Sequence, residues 1–213
     1  MGSLLVSAVG AAILLVGAGS GVAAAAPGDL DPSFGDGGTV VTAEAVRAYV
    51  GDVVPTGAGV FEISGTAGLD ASPSSWTVRL RDAAGGLDMS YGVEGAAPVP
   101  DGYSLTGPVA GVVDDERRLL VAGSQLTGSG REIGALVRYL PDGQVDRSFA
   151  GDGVRTLRDS LDRSSHARAV ISDGRRGEFV VRGGTRWTHG ELSYPAASVR
   201  LREGGRFPSL ENP

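Results

Sequence analysis

The chain contains no cysteine and no lysine. Without cysteine there is no disulfide, no thiolate nucleophile and no cysteine-ligated zinc or iron–sulfur centre. Packing and hydrogen bonds alone must hold the fold together. All 19 basic residues are arginine, against 25 acidic residues, for a formal net charge of −6. No basic run stands out against that balance. Arg117-Arg118 and Arg175-Arg176 are the closest approaches, each beside turn residues, so no nucleic-acid partner is expected. His166 and His189 are the only histidines, too few for a multi-histidine metal site. Aromatics are scarce, at 6%, so the core must be built largely of Val, Leu, Ile and Ala. Glycine, in contrast, is abundant: 35 of 213 residues, about twice ordinary usage and without a collagen period. Short strands joined by tight turns fit such a composition.

Residues 4–26, LLVSAVGAAILLVGAGSGVAAAA, are apolar and end at Pro27-Gly28. Ala23-x-Ala25 matches the small-residue cleavage pattern of a secretory signal, and cutting after Ala25 keeps Pro27 away from the scissile bond. Residues 1–25 are therefore expected to be an apolar signal helix. The remainder is expected to be exported, secreted or held at the cell surface. The first residues, Met1-Gly2-Ser3, lack the Lys or Arg usual in such signals. An uncleaved anchor is the alternative, because the stretch is nearly long enough to span a bilayer; it would be the chain's one membrane contact. Gly10, Gly17, Gly19 and Gly21 weaken a permanent helix and favour cleavage. The same glycines imitate a dinucleotide loop, but Pro27 and Gly28 stop the helix that such a loop must open. No cofactor is expected.

An internal period dominates the rest. GDLDPSFGDGG at 28–38 returns as GGLDMSYGVEG at 85–95 and GQVDRSFAGDG at 143–153. Leu30, Leu87 and Val145 stand 57 and 58 residues apart. An Asp follows each (Asp31, Asp88, Asp146), then Ser and an aromatic: Ser33-Phe34, Ser90-Tyr91 and Ser148-Phe149. FEISG, LLVAG and FVVRG keep the same period, ending in Gly65, Gly123 and Gly183. WTVRL, ALVRY and ASVRL share a Val-Arg-hydrophobic core. Each unit reads as four short strands, near 39–42, 50–54, 61–65 and 76–80 in the first, divided by turn signals. The expectation is an all-β domain at 28–210 made of three four-stranded antiparallel propeller-like blades, with units at about 30–86, 87–144 and 145–210.

LDPSFGDGG, VAGS and VRYLPDGQVDRSF resemble the delta-60 repeat, a bacterial family of propeller-like repeats often found in exported proteins. The resemblance covers about 28–210. It is specific in the third unit, good in the first and loose in the second, where Met89 and Val93 depart. It implies the fold and no catalytic activity.

Chemistry explains the motif. Asp31, Asp88 and Asp146 can accept hydrogen bonds from amides two residues on, Ser33, Ser90 and Ser148 do so more weakly, and Phe34, Tyr91 and Phe149 plug gaps between sheets. Calcium is the competing explanation, since Asp29, Asp31 and Asp36 lie close together. The second unit has Gly86 and Val93 in two of those places, so a structural staple is favoured and no metal is expected. Arg79, Arg138 and Arg200 recur with the fourth strand and invite pairing with the recurring Asp.

Loops carry function on rigid scaffolds. Those between the third and fourth strands differ most in composition. Trp76 borders the first, and the last holds Arg186, Trp187, His189 and Tyr194, a set suited to a glycan or peptide. His166 lies near Ser164, Ser165, Asp159 and Asp162, but no Gly-x-Ser-x-Gly elbow or His-Glu-x-x-His occurs, so no catalytic residue is assigned. The expected function is a binding or scaffolding module. A lyase or hydrolase acting on polysaccharide is one alternative, and a fragment of a longer repeat protein is another. Three blades with a motif before the first and a degraded one after the last predict a homodimer over an open monomer, whose blade faces would be apolar.

Overall fold

A computed structural model gives the fold. It describes residues 28–41, 48–66, 75–157, 165–172, 179–183, 186–188, 191–193 and 197–201. The expected signal helix at 1–25 lies outside them. Every regular element among the described residues is a strand.

β1 (Ala48–Pro55), β2 (Gly59–Thr66), β3 (Ser75–Asp82) and β4 (Ala96–Ala97) form one antiparallel sheet in that order. β5 (Leu105–Val113), β6 (Leu119–Leu126), β7 (Glu132–Tyr139) and β8 (Val154–Leu157) form the second. The third is ordered β13-β10-β9, from β9 (Ala169–Ser172), β10 (Phe179–Gly183) and β13 (Ala197–Leu201). β11 (Arg186–Thr188) and β12 (Glu191–Ser193) make a hairpin between β10 and β13. Turn chemistry sets the hairpins. Thr56 N donates to Gly59 O at 2.9 Å, with Gly57 at φ +79° between β1 and β2. Between β5 and β6, Asp114 accepts from Arg118 N at 2.8 Å and pairs with its guanidinium at 2.7 Å.

The fourth strand of each complete sheet comes from beyond an Asp-x-Ser-aromatic turn. β4 follows the turn at 87–95 yet pairs with β3, and β8 follows the turn at 145–153 yet pairs with β7. Each of these sheets therefore straddles two sequence units.

The middle sheet is buried on both faces. Leu119, Val121, Ala135, Val137 and Tyr139 pack toward Phe61, Ile63, Val78 and Tyr91 of the first sheet and its turn. Leu120, Ala122 and Leu136 pack the other way, onto Phe149, Ala167 and Val170. Strands covered on both faces read as unbroken apolar runs, which is why LLVAG shows no alternation.

The first two Val-Arg-hydrophobic segments do not superimpose as their letters align. Asp82 N bonds Gly86 O as Leu140 N bonds Gln144 O, and Asp88 N bonds Leu80 O as Asp146 N bonds Arg138 O. Leu80, not Arg79, thus holds the place of Arg138. The spacing from the Val-Arg segment to the Asp is one residue longer in the first case, and the strand absorbs it by sliding. A slide of one residue exchanges the two faces of a strand. Arg138 consequently turns toward Phe149, while Arg79 turns away from the second sheet. There it stands opposite Glu62, which Arg81 Nε contacts at 2.6 Å and Arg79 at 4.0 Å. On this outer face Arg79 and Arg81 are buried, while Val53, also opposite Glu62, is exposed.

Candidate functional site

The Asp-x-Ser turn is built the same way three times. Ser33 N, Ser90 N and Ser148 N donate to the Oδ1 of Asp31, Asp88 and Asp146 at 2.9, 2.9 and 3.0 Å. Each Ser Oγ donates to the same oxygen at 2.6 Å. The aromatic amide then closes on the Asp carbonyl, at 3.0, 3.1 and 3.0 Å for Phe34, Tyr91 and Phe149. The Ser bonds lower the carboxyl pKa of Asp31 and Asp88. At Asp146 burial works the other way, but the Ser148 bonds and Arg138 outweigh it and the pKa is again lowered.

What surrounds the turns differs. Arg138 Nε meets Asp146 Oδ2 at 2.7 Å, Nη2 donates to Ser148 Oγ at 3.2 Å, and the guanidinium lies 4.8 Å from the Phe149 ring centre. Asp31 accepts only from Ser33 among the described residues, and Leu30 is 63% exposed. The turns also fasten one sheet to the next. Gly35 N donates to Ala84 O at 2.7 Å, and Gly92 N to Asp142 O at 2.8 Å. Gly143 has φ +85°, and a Cβ there would sit 2.5 Å from Gly92 N. Close approach, not turn shape alone, requires glycine at that point. Among the described residues, no group of three or more Asp, Glu or His is arranged to hold a metal ion.

The strand ends from which the divergent loops leave face one side. Ala167 N bonds Gly123 O at 3.3 Å, Ser165 N bonds Glu132 O at 3.1 Å, and β9 runs antiparallel to β10, so Gly183 ends on that side too. The Trp76 ring reaches Gly123 from the first sheet. Trp76 itself is only 2% exposed and fills the gap that Gly123 leaves. It is a core residue and is not presented to a ligand. Arg186 and Trp187 lie in β11, with Trp187 opposite Leu192. His189 and Tyr194 fall outside the described residues.

A polar cluster that the sequence did not reveal occupies this side. His166 Nδ1 shares a 3.0 Å hydrogen bond with Ser124 Oγ and lies 3.5 Å from Glu132 Oε2. Thr106 Oγ1 donates to Glu132 Oε1 at 3.3 Å. Burial and the charge of Arg168 lower the His166 pKa against the pull of Glu132. Tyr49, 39% exposed, stands over Gly65, and burial together with the Glu132 charge raises its phenol pKa. Ser165, considered earlier beside His166, is a structural bridge: it donates to Leu157 O at 2.6 Å and accepts from Gly134 N at 3.0 Å. Asp159, Asp162 and Ser164 lie outside the described residues. Ser124 and His166 are 42 positions apart, a pairing that no local motif announces.

At the opposite end of the sheets a cleft of about 160 Å³ opens between Thr56, Leu80, Asp88, Val113, Arg117 and Pro141. No family model matches the chain, and no curated protein matches it.

Proposed function

We propose that this chain is an exported repeat protein of the delta-60 type, with three propeller-like blades, that binds a glycan or peptide on its loop side. The four-stranded sheets and their shared turns support the blades. The observation that carries the binding role is the half-open cluster of Tyr49, Thr106, Glu132 and His166 where the divergent loops leave. A tyrosine ring offers an apolar face to sugar C–H groups or side chains, while a carboxylate and an imidazole order hydroxyls or amides around it. Screening the protein on glycan and peptide arrays identifies the ligand. Titration of the best hit with Tyr49→Ala and Glu132→Gln is expected to lose affinity, and Arg117→Ala, at the far cleft, is expected to leave it unchanged. Binding indifferent to Tyr49 and Glu132 rejects the loop side.

An enzyme reading would rest on Ser124, His166 and Glu132. Its geometry is unfavourable: hydroxyl and carboxylate both address Nδ1, whereas a relay needs one nitrogen for each. Ser124 is also only 5% exposed. Turnover of a polysaccharide lost in His166→Ala would reverse that judgement.

A further inference from the structure

We propose that two copies of this chain join by exchanging their 28–41 segments, each completing the β13-β10-β9 sheet of the other. The inference rests on the blade reading above and adds the surface and its occupant.

Within one chain the joint is already built twice. The turn at 145–153 brings Val145 opposite Tyr139, places Asp146 on Arg138, and passes β8 to the edge of β7. The turn at 87–95 likewise brings Leu87 opposite Arg81 and passes β4 to β3. The segment at 28–41 has the same closed turn and is fastened behind by Gly35 to Ala84. Its forward side meets no sheet among the described residues. Leu30 is 63% and Val41 87% exposed, while Leu87 and Val145 are half-buried. Thr39 to Val41 is a strand's length of chain whose one bridge is internal, Asp36 to Thr39.

The complementary half is the third sheet. β13 pairs with β10 on one side and with no other strand among the described residues. Arg200 stands opposite Val180, with Val181 opposite Val199 one place along and opposite Val170 on its other side. Arg138 stands opposite Leu120 in the same relation to Val121 and Val137. Val170 is buried against the second sheet, and its neighbour Ile171 is 58% exposed on the far side. Val53 on the outer face of the first sheet is 52% exposed. Seated as in the existing joints, Leu30 of one copy falls opposite Leu201 of the other, and Asp31 meets Arg200. Unpaired strand edges are templates for such addition.

The absence of cysteine makes the test clean. Directly opposed antiparallel residues lie about 4.5–5.5 Å apart at Cα, within disulfide reach. The full chain carrying Leu30→Cys and Leu201→Cys together is oxidised and run without reductant. A covalent dimer is expected, with neither single variant linking to itself. An intramolecular disulfide at monomer mass, or no disulfide, overturns the exchange. Sedimentation of cysteine-free variants supplies the second arm. Asp31→Asn or Arg200→Met is expected to weaken the dimer by at least about tenfold, and the two together to weaken it little more than either alone. Leu30→Arg, at a site exposed in the single chain, is expected to weaken it without unfolding. A dimer indifferent to all of these, or a monomer at micromolar concentration, contradicts the proposal. Ligand binding retained in such a monomer leaves the loop-side reading intact.

Discussion

Asp31 and Asp146 make the same bonds to their serines at the same distances, yet one turn lies in solvent and the other is buried against a sheet. Local sequence is sufficient for the turn: an Asp, a Ser two residues on and a following aromatic close it wherever it stands. Burial comes from the preceding sheet. Asp146 is 4% exposed because β7 lies before it, presenting Arg138, while no described strand precedes Asp31. The turn is thus a preformed fastener, and the sheet it meets sets its energetic weight.

Substitution at the three aspartates should widen that contrast. Asp146→Ala leaves Arg138, 2% exposed, without its counter-charge, and is expected to cost about 3–5 kcal/mol in denaturant unfolding. Asp88→Ala loses the Ser90 bonds and should shift the unfolding midpoint far less. Asp31→Ala, measured at dilution low enough to keep chains apart, should leave the midpoint nearly unchanged. A comparable loss at all three would mean that the turn, not its surroundings, provides the stability.

Glycine substitutions separate turn shape from joint. Gly57→Ala meets no atom within 4 Å and bears only the strain of φ +79°, about 1 kcal/mol. Gly143→Ala adds a collision with the backbone of Gly92 and is expected to lower stability by about 3 kcal/mol. Equal melting shifts would remove the close approach as a cause. Tyr91 sharpens the comparison in the other direction. Its hydroxyl is buried without a hydrogen-bond partner among the described residues, where Phe34 and Phe149 carry no hydroxyl. Tyr91→Phe should therefore stabilise the protein by up to about 1 kcal/mol, read from the denaturant midpoint.

The smallest effects are titrations. The Asp146 pKa is lowered from 3.8 in the fold. Its contribution is fully present above the unfolded value and is lost as pH falls through the folded one. Asp146→Asn should flatten the acid limb below about pH 4. His166 is lowered from 6.5, so the unfolded chain takes up the proton first and stability falls as pH drops below about 6.5. His166→Asn should remove that slope. A slope unchanged in the variant assigns it to another group.

Much of this was legible in the sequence. The glycine-closed period, the strands at 61–65 and 76–80 and the Asp-to-Ser bonds follow from residue type and spacing. Three features were not. The one-residue slide between Leu80 and Arg138 changes faces without changing letters, so aligning Arg79 with Arg138 predicted a shared pairing that only Arg138 makes with Asp146. Trp76 read as a loop-side aromatic because sequence does not show that Gly123 leaves it a slot in the core. Ser124, Glu132 and His166 meet because the segment leading into β9 bonds to β6 and β7 through Ala167 and Ser165, a tertiary fact with no local signature.

The coupling between Arg138 and Asp146 tests most directly whether the buried turn is fastened by the sheet before it. Unfolding free energies of Arg138→Met, Asp146→Ala and the double variant complete the cycle. A coupling of about 2–3 kcal/mol is expected, with the double variant losing little more than either single one. Losses that simply add would contradict the account, because the two side chains would then be contributing to separate structures.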